Sequence, residues 1–363
     1  MSKKPNIFLL LLIYLPPLCL ILFLLANMFL PSKDNVYSKI AKGQTISILV
    51  AGDSIGKGFG ASKPELNFIG HLKEYLLHNY SVTATVVNTS MGGNTSYSEY
   101  VRVSQLSNAE KYDLVIICCG ENDLSYKSLG KTYEALIRAV KIKWPNAEII
   151  SVLQSSQKTY TQKIQTIQSL SKHYNIPIAD TIEPFTNGKN GEYRSLTRDG
   201  IHPNDKGYNI YACVIEKLIE TKAQTKSKNF DIYSLICKNH NIPEPLLPDS
   251  EEYANFQIFT TNNFKIQGNE FNCSINIPQN SHLGIDVNLI EGSNCYEFII
   301  NGNSVLKKEF VRKHFTQRHI IELTDNFKLI SSGDVNICVK FKYNNQADSF
   351  KGLFLSSPVS PSE

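Results

Sequence analysis

The sequence lacks any concentration of charge of one sign. Its 363 residues carry 37 basic and 33 acidic side chains, spread along the chain, and the formal net charge is only +4. Attraction to phosphate groups needs clustered positive charge, so we do not expect nucleic acid as a partner. The chain also has no internal repeat, and its eight cysteines show no spacing typical of a zinc site. We therefore expect a globular protein with no metal and no cofactor.

An almost unbroken apolar run occupies residues 7–30. A helix needs about 20 apolar residues to cross the hydrocarbon core of a membrane, so this run is long enough to span. Lys3 and Lys4 precede it, as expected for an end that stays in the cytoplasm. Because the residues after the run offer no small-x-small cleavage site, a cleaved signal peptide is disfavoured. We expect residues 1–31 to be a cytoplasmic tip and a single transmembrane signal anchor, with the remaining chain outside the cytoplasm.

Short apolar runs alternate with amphipathic stretches through residues 40–222, and this alternation predicts strands and helices in turn. The predicted strands are residues 46–51, 82–88, 113–119, 148–153 and 176–179. The predicted helices are residues 66–79, 97–107, 132–143, 160–174 and 203–221. Such alternation is typical of a parallel sheet with helices on both faces, which is a three-layer α/β/α domain. In this class of fold, ligands bind at the carboxyl ends of the strands.

The composition changes after the last predicted helix. Residues 223–252 are rich in Lys, Ser, Asn and Pro, which predicts a linker. Residues 253–357 show short alternating apolar runs separated by turn-forming residues, and they predict a small β-sandwich domain. The predicted strands of this domain are residues 256–260, 270–277, 283–289, 296–300, 319–323 and 335–343. Residues 358–363 are a predicted tail. Because an exported compartment permits disulfides, we predict that Cys273 pairs with Cys295.

Two motifs contain the residue types of nucleophilic catalysis. Gly52-Asp53-Ser54 follows the first predicted strand, and Asp199-Gly200-Ile201-His202 precedes the last predicted helix. A serine at a strand-to-helix turn can expose its hydroxyl and point its amide at developing negative charge. The hydroxyl is a weak nucleophile that needs a base such as histidine, and a nearby carboxylate can orient that base. Each motif taken alone is explained equally well by an ordinary turn.

Two further blocks follow predicted strands. Met91-Gly92-Gly93-Asn94 comes after the second strand, and Gly120-Glu121-Asn122-Asp123 comes after the third. Glycine and asparagine are common in turns of every kind. However, the carboxyl ends of parallel strands meet at one edge of the sheet, where Ser54 is also expected. The backbone amide of Gly93 and the side-chain amide of Asn122 could both donate to an oxyanion there.

Taken in order, the four blocks resemble the motifs of the SGNH (GDSL-type) hydrolase family. The resemblance covers the whole α/β region and implies a flavodoxin-like domain that acts on esters through an acyl-serine. It implies Ser54 as the nucleophile, His202 as the general base and Asp199 as the carboxylate that orients the base. It also implies an oxyanion hole built from the amides of Ser54 and Gly93 and the side chain of Asn122.

An anchored, outward-facing domain of this kind is similar to bacterial cell-surface enzymes that remove or install O-acetyl groups on polysaccharide. We therefore expect a serine esterase or an O-acetyltransferase whose substrate is acylated cell-surface carbohydrate. A transferase would take its acetyl group from a membrane O-acyltransferase partner. Two alternatives stay open, namely a lipid or general carboxylesterase and a non-catalytic, glycan-binding surface protein on the same scaffold. The catalytic residues cannot separate hydrolysis from transfer, because water and sugar hydroxyls are chemically similar acceptors.

Overall fold

A computed structural model describes residues 35–226, 242–289, 292–312, 317–323, 332–342 and 349–358. The predicted anchor at residues 1–31 lies outside the described residues, as do residues 227–241 of the predicted linker. In the part of the chain that the structure describes, no helix is long and apolar enough to cross a membrane.

Strands and helices alternate through the first described range, as the sequence pattern predicts. The strands are β1 (Ile46–Gly52), β2 (Ala84–Asn88), β3 (Leu114–Cys118), β4 (Glu148–Leu153) and β5 (Ile178–Asp180). The helices are α1 (Val36–Ala41), α2 (Ser54–Lys57), α3 (Phe68–Tyr80), α4 (Ser96–Gln105), α5 (Tyr126–Lys143), α6 (Gln162–His173), α7 (Ile182–Thr186) and α8 (Asp205–Lys226). Helix α5 begins before its predicted start at residue 132, and α8 continues beyond its predicted end at residue 221.

The strands of this region form a parallel sheet in the order β2-β1-β3-β4-β5 among the described residues. Side chains of β1 alternate between two apolar cores, with Leu49 and Ala51 on one face and Ile48 and Val50 on the other. Helices cover both faces, which explains why β1 and β3 are buried on both sides. The predicted α/β domain with a parallel sheet is confirmed. The strand order reverses between β1 and β3, where a ligand crevice is expected at the carboxyl edge.

Polar side chains determine where three helices begin at this edge. Asp53 caps α2 by accepting a hydrogen bond from the amide of Ile55, Thr95 caps α4, and Ser125 caps α5. A side-chain oxygen at this position satisfies a backbone amide that the helix itself leaves without a partner. The turns that lead into α2, α4 and α5 are thereby held in defined conformations.

The second region is rich in strands. They are β6 (Asn255–Thr260), β7 (Lys265–Gln267), β8 (Glu270–Ile277), β9 (His282–Leu289), β10 (Gly292–Ile300), β11 (Asn303–Arg312), β12 (Gln317–Glu322), β13 (Gly333–Phe341) and β14 (Phe350–Ser357). Within the described ranges they form two sheets, in the orders β11-β10-β13-β8-β7 and β12-β9-β14-β6. An apolar core that contains Phe271, Phe298 and Phe350 lies between them. The predicted β-rich second domain is confirmed.

Strand β14 is central to its sheet, yet the sequence analysis did not predict it. Its Leu353 and Leu355 belong to the core between the two sheets, whereas Phe354 belongs to a core of the α/β domain. Both faces of the strand are therefore buried. A strand buried on both faces lacks the alternation of apolar and polar residues by which a half-buried strand is predicted.

The two domains share one apolar core. Ile320 and Phe354 from the four-stranded sheet belong to the same buried cluster as Tyr97 of α4. The hydroxyl of Ser98 donates to the carbonyl of Ile320 at 2.8 Å. A Cβ atom on Gly284 would lie only 2.2 Å from the Tyr97 hydroxyl, so glycine is what allows the helix to approach the sheet. Helix α4 thus connects the carboxyl edge of the parallel sheet with the second domain.

The predicted disulfide between Cys273 and Cys295 is wrong, since Cys273 has a free thiol. Cys273 lies on β8 and Cys295 on β10, and β13 separates these two strands in the sheet. Strands that are not neighbours lie about 10 Å apart, and a disulfide requires Cα atoms within about 7 Å.

Candidate active site

Ser54 lies directly after β1 as the first residue of α2. Its Oγ atom is 2.9 Å from Nε2 of His202. Nδ1 of the same imidazole is 2.6 Å from Oδ2 of Asp199. Side chains from two distant parts of the sequence therefore form one hydrogen-bonded row at the carboxyl edge of the sheet.

The Asp199 carboxylate also shapes the loop that carries the histidine. Its Oδ1 atom accepts hydrogen bonds from the amides of Ile201 at 3.0 Å and His202 at 2.8 Å. Burial alone would raise the pKa of Asp199, but these bonds and the contact with the imidazole lower it to about 2. The ionised carboxylate accepts the Nδ1–H of His202, which leaves the lone pair of Nε2 facing the Ser54 hydroxyl.

Asp53, which precedes the serine, is fully buried. Both of its carboxylate oxygens accept a hydrogen bond from Nε2 of Gln154 at 2.9 Å. Burial raises the pKa of Asp53 to about 7, while the hydrogen bond from Gln154 acts in the opposite direction. Gln154 Oε1 accepts the amide of Glu121 at 3.1 Å, so this one side chain joins the ends of β1, β3 and β4. The sequence analysis missed Gln154, although its place immediately after a predicted strand is the signal that could have found it.

The turn that carries Gly93 is bound to the end of β1. The amide of Met91 and the side-chain amide of Asn94 donate to the carbonyl of Gly52 at 3.2 and 3.3 Å. Gly93 has φ of +79°, a left-handed conformation that a residue with a Cβ atom adopts only with strain. The turn therefore lies beside Ser54, two residues after Gly52.

Glu99 of α4 is a buried carboxylate that supports the same turn. It accepts hydrogen bonds from the side-chain amide of Asn94 and, at 2.8 Å, from the hydroxyl of Thr89. Burial raises the pKa of Glu99 to about 7. The sequence analysis did not identify this residue. A glutamate in a helix is usually exposed, and no sequence pattern distinguishes a buried glutamate from an exposed one.

Asn122 connects the third block to the second. Its Nδ2 atom donates to the carbonyl of Asn94 at 3.0 Å, and an amide group carries two hydrogens, so one more can be donated. The next residue, Asp123, is buried and accepts a hydrogen bond from the amide of Ser96 at 3.1 Å. Burial raises the pKa of Asp123 to about 6. This pair therefore fixes the start of α4 relative to the end of β3.

The structure brings the predicted site residues to one edge of the sheet. Ser54, His202 and Asp199 form a continuous hydrogen-bonded row. The turn that carries Gly93 binds the end of β1, and Asn122 binds that turn. The described residues include no group of three or more His, Cys, Asp or Glu side chains that could hold a metal ion.

The β-rich domain reaches the edge of this site. A Cβ atom on Gly93 would lie 3.6 Å from Cε1 of His319, which belongs to β12. The adjacent Ile320 is buried in the core that the two domains share. A side chain of the second domain is therefore held beside the turn that carries Gly93.

Residues 50–210 match the GDSL-like lipase/acylhydrolase family. This segment, less than half of the chain, is similar to that family. The predicted site residues all fall within the matched segment, and the resemblance to SGNH hydrolases is confirmed. No curated protein matches the chain.

Two solved structures of a two-domain esterase (CEX) active on acetylated mannans resemble this chain in fold. One, co-crystallised with mannopentaose, is 19% identical with a TM-score of 0.69, covering 90% of this chain and 94% of that chain. The other is 20% identical with a TM-score of 0.70, covering 90% of this chain and 95% of that chain. At these identities the likeness concerns the fold alone, and it extends over both the α/β and the β-rich domains.

Proposed function

We propose that this GDSL-like protein is a serine esterase that removes acyl groups, above all acetyl groups, from O-acylated carbohydrate. The observation that carries the proposal is the row of Ser54, His202 and Asp199, with contacts of 2.9 and 2.6 Å. A hydroxyl, an imidazole and an ionised carboxylate in this order are the groups that nucleophilic acyl transfer requires.

The first half of the reaction forms an acyl-serine. Oγ of Ser54 attacks the ester carbonyl while Nε2 of His202 takes the hydroxyl proton. The amides of Ser54, Gly93 and Asn122 stabilise the negative charge that develops on the carbonyl oxygen. The C–O bond of the ester then breaks, and the imidazolium returns its proton to the departing alcohol oxygen.

The second half releases the acyl group. Water attacks the acyl-serine with His202 as the base, and Ser54 leaves as the free hydroxyl. Asp199 remains ionised throughout, because its hydrogen bonds hold its pKa at about 2. Its role is to orient the imidazole and to stabilise the imidazolium in both halves.

The two-domain likeness to the CEX esterase supports carbohydrate as the substrate, since both of its structures cover 90% of this chain. The intact hydrogen-bonded row argues against a protein that only binds glycan. A general carboxylesterase is the remaining alternative. It differs in the alcohol portion of the esters that it hydrolyses.

Acetate release tests the proposal. The full chain, purified in detergent, should release acetate from acetylated manno-oligosaccharides, and the Ser54→Ala variant should not. Turnover of simple esters without release from any acetylated saccharide would favour the general esterase. Absence of turnover with every ester would refute the enzymatic function.

The transfer reaction is tested by adding an acceptor. If an acetylated saccharide accumulates when an acetyl ester and a free saccharide are both supplied, the acyl-serine is resolved by a sugar hydroxyl. That result would favour the O-acetyltransferase and, with it, a membrane O-acyltransferase that supplies the acetyl group. Release of free acetate alone would favour the esterase.

We further propose that residues 7–30 anchor the chain in the cell membrane, with the enzyme domain outside the cytoplasm. The support is the length of this apolar run and the lysines before it. In cells, the protein should remain with the membrane after a salt wash and be cleaved by protease added outside. A chain without residues 1–31 is the matched control, and recovery of the full chain in the soluble fraction would contradict the proposal.

A further inference from the structure

The aromatic ring of Phe59 lies against the catalytic histidine. The centroids of the Phe59 and His202 rings are 4.7 Å apart, with an angle of 71° between the ring planes. Phe59 is nevertheless 53% exposed to solvent, and Ile201, the neighbour of His202 in sequence, is 46% exposed. One exposed aromatic ring therefore contacts the imidazole, and an exposed apolar residue precedes the histidine in the chain.

The backbone at Phe59 is fixed in place. Its amide donates to the carbonyl of Ser54 at 2.9 Å, and its carbonyl accepts the hydroxyl of the buried Tyr208 at 2.8 Å. A Cβ atom on Gly60 would lie 2.3 Å from the carbonyl oxygen of Pro203, so this loop is in direct contact with the segment that carries the histidine. The exposed ring thus stands on a segment bound to both the nucleophile and the base.

Single exposed apolar residues are common on protein surfaces and need no explanation. Phe59 differs from them because its position is determined by the two residues that perform the chemistry. A side chain presented on a fixed backbone loses little conformational freedom when a ligand covers it, so such a residue is suited to binding.

The chemistry indicates which part of the substrate meets this ring. His202 returns its proton to the departing alcohol, so the alcohol must lie on the imidazole side of the carbonyl. The carbonyl oxygen, by contrast, faces the oxyanion donors. Phe59 is on the side of the alcohol, which in an acylated carbohydrate is the sugar.

We propose that Phe59 is a specificity-determining residue on which the sugar ring that carries the ester stacks. The inference rests on the proposed carbohydrate substrate. One face of a pyranose presents mainly C–H groups, and the negative face of an aromatic ring attracts them while both surfaces leave water. Stacking would hold the ring so that its esterified oxygen faces Nε2 of His202.

The test compares two acetate esters that differ in the alcohol. The full chain and its variants are assayed on an acetylated manno-oligosaccharide and on ethyl acetate, whose alcohol is too small to stack. For Phe59→Ala, we expect kcat/KM on the oligosaccharide to fall roughly tenfold more than on ethyl acetate, mainly through a higher KM. Phe59→Tyr, which keeps the aromatic face, should retain the wild-type ratio, and Phe59→Leu should behave like the alanine variant.

A matched control is available at the opposite edge of the sheet. Leu77 is 52% exposed in the last turn of α3, shortly before β2 begins. Leu77→Ala removes a similar exposed apolar side chain, and it should leave both activities unchanged.

Two results would overturn the inference while leaving the proposed function intact. Equal losses on both esters in Phe59→Ala would show that the ring acts only through the histidine, and wild-type activity on both esters would show that the sugar does not touch the ring. If the wild-type chain hydrolyses ethyl acetate but not the oligosaccharide, the carbohydrate substrate fails, and the stacking role fails with it.

Discussion

Among the described residues, His202 and His282 each hydrogen-bond to a carboxylate, and they differ in what the second ring nitrogen faces. In His202, Nδ1 contacts Asp199 at 2.6 Å and Nε2 contacts the Ser54 hydroxyl at 2.9 Å. In His282, Nδ1 contacts Glu322 at 3.0 Å and Nε2 contacts Glu252 at 2.5 Å. The side chains of the two histidines are similarly buried, at 18% and 14% exposed. Burial therefore does not distinguish them, and the partner of the second nitrogen does.

A hydroxyl can donate a hydrogen bond, whereas an ionised carboxylate can only accept one. The imidazole of His202 can therefore be neutral, with a lone pair ready to take a proton. The imidazole of His282 faces a carboxylate at each nitrogen, so it satisfies both carboxylates only when it carries two hydrogens and a positive charge. A carboxylate at one ring nitrogen therefore favours a catalytic role for a histidine only when the other ring nitrogen faces a group, such as a hydroxyl, that can donate a proton.

The His282 cluster lies where the two domains meet. Tyr253 stacks on the imidazole at 4.4 Å between ring centroids, and its backbone carbonyl accepts the hydroxyl of Tyr100 of α4 at 2.7 Å. Burial alone would lower the pKa of His282, but the hydrogen bonds and charges of Glu322 and Glu252 hold it above its usual value. We assign this cluster to stability rather than to chemistry.

The largest effect is expected from the hydroxyl that His202 faces. Ser54→Ala should reduce kcat by at least about 10³-fold, because the nucleophile is lost while binding and the oxyanion donors remain. Steady-state kinetics on an acetyl ester measures the loss, and an unchanged melting temperature shows that the fold is intact. Activity comparable to that of the wild type would show that the Ser54 hydroxyl is not the nucleophile.

The next effect concerns the carboxylate. Asp199→Asn should reduce kcat by about 10²- to 10⁴-fold, since an amide can donate to Nδ1 and so favour the wrong imidazole tautomer. With a pKa of about 2, the wild-type carboxylate stabilises the fold above its ordinary pKa and loses that contribution only as the pH falls toward 2. The ring N–H signal of His202 in proton NMR should disappear in the variant. A variant with wild-type kcat would show that Asp199 does not orient the base.

A smaller effect is expected from the oxyanion donor. Asn122→Ala should reduce kcat by about 10²- to 10³-fold with little change in KM, because its amide acts on charge that exists only in the transition state. The removed side chain also binds the carbonyl of Asn94 at 3.0 Å, so the melting temperature is measured as a control. A change confined to KM would assign Asn122 to substrate binding instead.

The smallest effect on catalysis is expected at the second histidine. His282→Gln should leave kcat unchanged and lower the free energy of unfolding by about 2 kcal/mol, since two carboxylates lose the cation between them. The raised pKa means that the wild-type cluster contributes fully below the ordinary histidine pKa and loses its contribution as the pH rises through the folded value. Urea unfolding at acidic and alkaline pH should show this loss in the wild type and not in the variant. If the free energy of unfolding depends on pH equally in both proteins, the charge of His282 does not stabilise the fold.

The α/β fold could be predicted because its signals are local. Buried parallel strands are continuous apolar runs, as in β1 and β3, and amphipathic helices separate them along the chain. The β-rich domain was predicted less completely, since β14 is buried on both faces and shows no alternation. The predicted disulfide failed for a related reason, because spacing along the chain says nothing about which strands are neighbours in a sheet.

The sequence by itself determined that Ser54, Gly93 and Asn122 follow strands, and therefore that these three could meet, because parallel strands bring their carboxyl ends to one edge whatever their order. Asp199 and His202 precede a helix instead, and only the resemblance to SGNH hydrolases placed them with Ser54. Only the tertiary structure decided that Gln154 binds Asp53, that Glu99 binds Thr89, and that α4 contacts the second domain. Those contacts depend on packing between residues distant in sequence, where a buried polar group needs a partner that no local pattern can specify.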